Sequence, residues 1–351
     1  MSKRIFISFV LLAIMTGCQY NAPEIQTLCL RDGIGNYLIK WETTPPMEGV
    51  VKIYVSNNPD KFTRKEPAIY ADINQGVVTY VTNDNVTRQY FRLTFNDKYG
   101  QVVGARSVLM DNVQNLRDLG GYVGEKNRMI RWGKVYRSGD VSRLSFQDSL
   151  RLSNLHLKTI IDLRSAGEMN VSPITFEEAQ IVTLPLTVGN LENIQPFLRE
   201  GKMRKGDATV YMQDMYLKFI TDNHEAFAKA LQIFLDKDNY PILFSCSLGK
   251  DATGYLSTLL LQLLAVPDQM VTRDYLASNE YIIMQRYAYM VRDLSFESQE
   301  AITTLLSVNE LFLQPVRQKI LRDYTSFDNF VETALEFSEK DRDRLKDILL
   351  Y

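Results

Sequence analysis

The segment that most restricts the fold of this 351-residue chain runs from Pro241 to Leu264. Pro241-Ile242-Leu243-Phe244-Ser245 is an apolar run short enough for a buried strand, and Tyr255 to Leu264 is an apolar helix. Between them lies Cys246-Ser247-Leu248-Gly249-Lys250-Asp251-Ala252-Thr253-Gly254, with glycines at two of its turns. A strand, a tight loop and a helix start in that order belong to a parallel α/β layer. They aim successive backbone N–H groups and a helix N-terminus at one point, an arrangement that favours an anion and lowers the pKa of a thiol placed there. Cys246 opens the loop, so a nucleophilic thiolate beneath a bound oxyanion is the chemistry expected of it.

The rest of the chain divides around this segment. Short β-rich runs separated by polar turns fill residues 24–110: Tyr37 to Glu42, Val50 to Val55, Gly76 to Thr82, Gln89 to Phe95 and Val102 to Leu109. They predict a small all-β sandwich with Trp41 and Tyr54 in its core. From residue 111 to 351 the pattern becomes helices alternating with short buried strands, Thr159 to Leu163 and Gln180 to Leu184 among them, and the last third is mostly helical. Ser145-x-x-Asp148 and Ser338-x-x-Asp341 have the spacing of helix capping boxes. The stretch Gly189 to Asp207, with Arg199, Lys202, Arg204 and Lys205, reads as a mobile solvated linker or a basic flap.

Lys3 and Arg4 precede the apolar run Ile5 to Thr16, and Gly17-Cys18 follow, so residues 1–17 read as a signal peptide. The ending resembles a bacterial lipobox, which would make Cys18 a lipidated anchor and residues 18–23 a tether, with the protein held at the bacterial cell envelope. Forty basic against 42 acidic residues give a net charge of −2, which excludes a nucleic-acid binder that relies on a broad phosphate-attracting field. Only Cys29 and Cys246 remain beyond Cys18, so packing rather than disulfides holds the fold. Cys29 reads as a core residue, and His156 and His224 lack metal-ligand spacing; no metal and no cofactor is expected.

Several motifs in order carry a family resemblance. Residues 245–254 resemble the H-C-x-x-G-K-D-R-T-G loop of a bacterial branch of the protein tyrosine phosphatase superfamily. Upstream, Asn115-Leu116-Arg117-Asp118-Leu119-Gly120-Gly121, Trp132-Gly133-Lys134-Val135-Tyr136-Arg137-Ser138 and Asp162-Leu163-Arg164-Ser165 with Glu168 are similar to that branch's other signatures, and Asp274-Tyr275-Leu276 fits downstream. The resemblance implies an α/β fold with a central, mostly parallel sheet flanked by helices. It implies Cys246 as nucleophile, Asp251 as the acid and Thr253 as the hydroxyl beside the sulfur. Ser247, Leu248, Gly249, Lys250 and Gly254 would then bind the phosphoryl group, with Arg117, Arg137 and Arg164 as neighbouring cations. The N-terminal strands more loosely resemble a fibronectin type III or immunoglobulin-like module.

Two positions depart from the pattern. Ala252 stands where the branch has the arginine that clamps two phosphoryl oxygens, and Ser245 replaces its histidine. Two expectations follow: a phosphomonoesterase with weakened or lost activity, or a non-catalytic anion-binding scaffold of the envelope whose sandwich contacts other proteins.

Overall fold

The computed structural model describes residues 22–63, 65–187 and 191–351. The expected signal peptide, Cys18 and most of the tether lie outside the described residues.

Strict two-residue alternation builds the first part of the chain. Its strands are β1 (Glu24–Arg31), β2 (Tyr37–Thr44), β3 (Val50–Ser56), β4 (Ile69–Asp72), β5 (Val77–Tyr80), β6 (Tyr90–Phe95) and β7 (Tyr99–Gly104). They form two antiparallel sheets, β1-β2-β5 and β4-β3-β6-β7. Tyr37, Ile39 and Trp41 of β2 point inward, as do Val51, Ile53 and Val55 of β3 and Phe91, Leu93 and Phe95 of β6, and together they make one apolar cluster between the sheets. Trp41 is in that cluster. Tyr54 is not: its neighbours Ile53 and Val55 face inward, so the pleat turns Tyr54 outward, where the Arg92 guanidinium stands 4.6 Å over its ring. Strand β1 escaped the sequence pattern because its outward face carries Leu28 and Leu30, while Cys29 faces the core.

The second part holds a five-stranded sheet of β8 (Arg117–Asp118), β9 (Val135–Ser138), β10 (Thr159–Asp162), β11 (Gln180–Thr183) and β12 (Ile242–Ser245), in the order β11-β10-β12-β9-β8. The first four are parallel and β8 runs antiparallel to β9. Helices α1 (Phe146–Ser153), α2 (Ala166–Val171), α3 (Leu191–Arg199), α4 (Lys205–Thr221), α5 (His224–Ile233), α6 (Ala252–Leu263) and α7 (Asp268–Leu276) lie around it. They are followed by α8 (Ser278–Tyr281), α9 (Phe296–Leu306), α10 (Glu310–Tyr324), α11 (Phe327–Thr333) and α12 (Glu339–Leu349). β12 is central and buried on both faces: Ile242 and Phe244 join the large cluster with α4, α5 and α6, while Leu243 joins a smaller one with Ile160, Tyr136 and Leu152 of α1. Both expected capping boxes form, and Ser165 with Glu168 makes a third at α2. The expected linker after Gly189 is instead largely helical in its described part, because α3 buries Ile194 and Leu198 and Met203 follows them inward.

The two parts meet through buried polar groups. Trp132 inserts into the cluster between the N-terminal sheets and donates from Nε1 to Val102 O at 3.1 Å. Arg88, 4% exposed, pairs with the fully buried Asp118 at 2.8 Å and donates to Tyr136 Oη and Ala105 O. Asp118 also accepts the N–H groups of Gly120 and Gly133, the loop-fixing role that an aspartate beside two glycines suggests. Among the described residues no helix is long and apolar enough to cross a membrane.

Candidate active site

β12 ends at Ser245 and α6 begins at Ala252, so residues 246–251 turn at the carboxyl edge of the central strand, between β9 and β10. The turn is tight because nothing larger than hydrogen fits at Gly249: its φ is +68°, and a Cβ there would sit 2.4 Å from Gly139 N and Ser138 C. The loop carbonyls are drawn back into the domain. Asn115 Nδ2 donates to Gly249 O at 2.7 Å and to Leu248 O at 3.3 Å, and Arg137 Nη2 donates to Gly249 O at 2.8 Å. With the carbonyls held behind, the N–H groups of Gly249 and Thr253 turn toward the Cys246 sulfur, and Thr253 Oγ1 lies 3.7 Å from it. Two loop amides and a helix start thus lie on the side of the thiol.

The thiol is buried, and burial pushes its pKa up, helped by the Asp251 charge; the N–H groups of Thr253 and Gly249 and the Thr253 hydroxyl only partly oppose this. This corrects the expectation of a depressed thiol pKa: a helix start stabilises a thiolate, but desolvation beside a carboxylate outweighs it.

The arginines expected to contact a bound anion are placed as supports instead. Arg137, fully buried, also donates to Asp274 Oδ2 at 2.8 Å and Ser278 Oγ at 3.3 Å, while its Nε has no hydrogen-bond partner among the described residues. Arg117, also fully buried, donates to Asn115 Oδ1 at 2.7 Å and Asp274 O at 3.1 Å. Burial and the neighbouring Arg137 charge bring the Arg117 pKa down to about 10. Arg164 is bidentate on Asp162 and reaches Asp140 Oδ1 at 3.0 Å. The guanidinium ends of all three are thus occupied by protein acceptors. Lys250, 1% exposed, is likewise partnered, donating to Asp251 Oδ1 at 2.8 Å and Ser307 O at 3.2 Å.

Asp251 stands at the first turn of α6 with its side chain turned away from its own helix amides. Its Oδ1 accepts from Lys250 and from Tyr216 Oη, each at 2.8 Å. Ser247 Oγ donates to Glu168 Oε1, whose other oxygen closes the capping box with Ser165. Burial raises the Glu168 pKa, but the hydrogen bonds from Ser165 and Ser247 outweigh it and hold the carboxyl below the usual range. Leu248 packs half-buried against the large cluster, and Gly254 lets α6 approach α7, since a Cβ there would meet the Tyr275 ring at 3.1 Å. Ala252 is 5% exposed within the apolar cluster, and the Ser245 hydroxyl is buried with no hydrogen-bond partner among the described residues. Tyr216 was beyond the reach of sequence reasoning: it lies 35 residues before Asp251 in a helix whose aromatic residues read as core.

A buried thiol under converging amides at the edge of a central parallel strand defines an α/β protein with an oxyanion loop of the cysteine phosphatase kind. The profile of the tyrosine phosphatase family matches residues 108–351, and the chain belongs to that family. A protein of Cupriavidus necator, provisionally named a tyrosine-protein phosphatase, is 31% identical over 239 residues, 67% of this chain and 86% of that one. The triple specificity protein phosphatase PtpB of Mycobacterium tuberculosis is 26% identical over 270 residues, 67% of this chain and 96% of its own length. A tyrosine-protein phosphatase of Nostoc commune is 27% identical over 149 residues, 42% of this chain and 48% of that one. Family and relatives together support a phosphatase function.

Proposed function

We propose that the chain is a cysteine-dependent phosphomonoesterase of reduced rate that works through a Cys246 phosphocysteine. The placement of the buried Cys246 thiol at the carboxyl edge of β12, in a loop closed by Gly249 and with Thr253 Oγ1 3.7 Å from its sulfur, supports this reading above all. As the anion binds, the Cys246 proton passes to the Asp251 carboxylate, and the sulfur then attacks phosphorus in line. The P–S bond forms as the ester P–O bond breaks, and Asp251 protonates the departing oxygen. Water next attacks phosphorus, Asp251 takes its proton, and the P–S bond opens to return the thiolate and release phosphate. Thr253 Oγ1, 3.7 Å from sulfur, steadies the thiolate as it forms and leaves. Ser247, Leu248, Gly249 and Gly254 contribute through the backbone and the shape of the loop and Lys250 through its ammonium on Asp251, while Arg137 braces the loop directly at Gly249 O, Arg117 through Asn115 and Arg164 through Asp140. Ala252 leaves the transition state without its bidentate cation, a loss worth about 10²–10³ in rate or more. No metal or cofactor enters this scheme.

A second reading, an anion-binding scaffold without turnover, is favoured by one observation: Lys250 and all three arginines are buried and already partnered. Hydrolysis of a chromogenic aryl phosphate by the full chain separates the two. Activity abolished by Cys246→Ser and raised at least about tenfold by Ala252→Arg is expected; equal background in wild type and Cys246→Ser would overturn the enzyme reading.

The proposal extends to the rest of the chain. Residues 24–110 form a fibronectin III or immunoglobulin-like module that offers a surface for protein contacts, and residues 111–351 form the phosphatase domain. Residues 1–17 direct export, and a lipid on Cys18 holds the protein at the cell envelope.

A further inference from the structure

We infer that Tyr216 is a positioning residue for the acid of this site: together with Lys250 it pins one oxygen of Asp251 so that the other presents the proton to the leaving group. The inference deepens the phosphatase reading and rests on it. Asp251 cannot be held by its own helix, because its side chain caps no amide of α6. Two donors from elsewhere hold it instead, Tyr216 Oη from α4 and Lys250 Nζ from the loop, and both take Oδ1 at 2.8 Å. Among the described residues Oδ2 has no hydrogen-bond partner, and the side chain is 21% exposed, the only one of the four partnered groups Asp251, Lys250, Tyr216 and Tyr275 that reaches solvent to that extent. A carboxylic acid whose one oxygen accepts two hydrogen bonds carries its proton on the other, which is the oxygen free to face a departing alkoxide or phenoxide.

Tyr216 is itself fixed in place. Its ring is fully buried against Phe219, Tyr275 and Phe312, and its hydroxyl shares a 2.8 Å hydrogen bond with Tyr275 Oη, which reaches Asn309 O. Because Tyr216 gives its one proton to Asp251, the 2.8 Å contact requires Tyr275 to donate to Tyr216, in preference to its longer 3.4 Å approach to Asn309 O. The acid is thus oriented by helices α4 and α7 as well as by the loop that carries it. Preorganisation of this kind matters most when the leaving oxygen needs the proton.

The leaving group therefore supplies the test. Wild type, Tyr216→Phe, Asp251→Asn and the double variant, all as full chains and also on the Ala252→Arg background, are assayed with phenyl phosphate and with 2,4-dinitrophenyl phosphate. Phenoxide needs protonation and dinitrophenoxide does not. The expected result is a fall of about tenfold or more in kcat on phenyl phosphate for Tyr216→Phe, less than about twofold on dinitrophenyl phosphate, and no further loss when the change is added to Asp251→Asn. Equal losses on both substrates, or an additive loss in the double variant, would show a merely structural tyrosine and overturn the inference while the phosphatase reading stands. Hydrolysis of neither substrate on either background would overturn both. Near-ultraviolet circular dichroism and the unfolding midpoint of Tyr216→Phe establish that the variant folds; a fold lost with the hydroxyl alone would also overturn the positioning role.

Discussion

Gly249 decides whether the loop can close over sulfur. A side chain there would require left-handed backbone, at about 1–2 kcal/mol, and its Cβ would meet Gly139 N and Ser138 C at 2.4 Å. We expect Gly249→Ala to lower the urea midpoint by more than the backbone term alone and to abolish binding of inorganic phosphate measured by calorimetry, because the strand edge behind the loop is backbone and cannot retreat. This residue was legible in advance, since a glycine between a strand and a helix start marks a turn. The fate of the arginines was not. Arg137 and Arg164 follow strand-like runs, a position that equally suits a ligand contact and a brace, and only the carboxylates that meet them, Asp274 from 137 residues away and Asp162 from two, settle the matter.

At the scale of elements, β8, β9 and α7 are tied by one buried charge cluster. Asp274 of α7 receives Arg137 at 2.8 Å, Arg117 at 3.7 Å and the Tyr122 hydroxyl at 3.0 Å, and Arg137 passes that support to Gly249 O. Burial raises the Asp274 pKa, but the charges of Arg117, Arg137 and Arg106 with the Tyr122 hydrogen bond outweigh it and hold the carboxyl below its ordinary value. A carboxyl whose folded pKa lies below its unfolded one adds stability above the unfolded value and loses it as pH falls through the folded value. Thermal unfolding scans from pH 7 downward should therefore show a steep acid loss, and Asp274→Asn should flatten that slope while lowering stability at pH 7 by about 3–5 kcal/mol through the unpaired arginines. A wild-type curve with the same acid slope as Asp274→Asn would refute this. Strand β9 illustrates why such a tie is hard to foresee: Val135-Tyr136-Arg137-Ser138 is buried at every position, yet an arginine in its middle hides it from any hydrophobic pattern.

Across the whole molecule, the N-terminal sheets and the α/β part are joined by Arg88, Asp118, Tyr90, Tyr136 and Trp132 in a buried seam. A seam of that kind makes the two parts unfold together. Calorimetry should show one transition, and Arg88→Met should lower stability by about 3–5 kcal/mol, since Asp118 would keep its burial without its cation. Two resolved transitions would instead mean independently stable modules. The chain by itself determined the nature of the site: a strand, a thiol, two glycines and a helix in sequence, legible because that order is local, although the Asn115 and Arg137 donors that hold the turn's carbonyls come from far along the chain. It also determined the alternation of the N-terminal strands. What only the tertiary structure decided is how the charges are spent. The loop's lysine and three arginines are paired with acceptors of the loop itself, of β10 and α7, and of Asn115, Asp140 and Ser307, and the Asp251 carboxylate meets a tyrosine from α4. The distant partners among these, Asp274 and Tyr216 above all, are chosen by packing in three dimensions, where burial makes a charge find a counterpart, and no spacing along the chain records which one it will be.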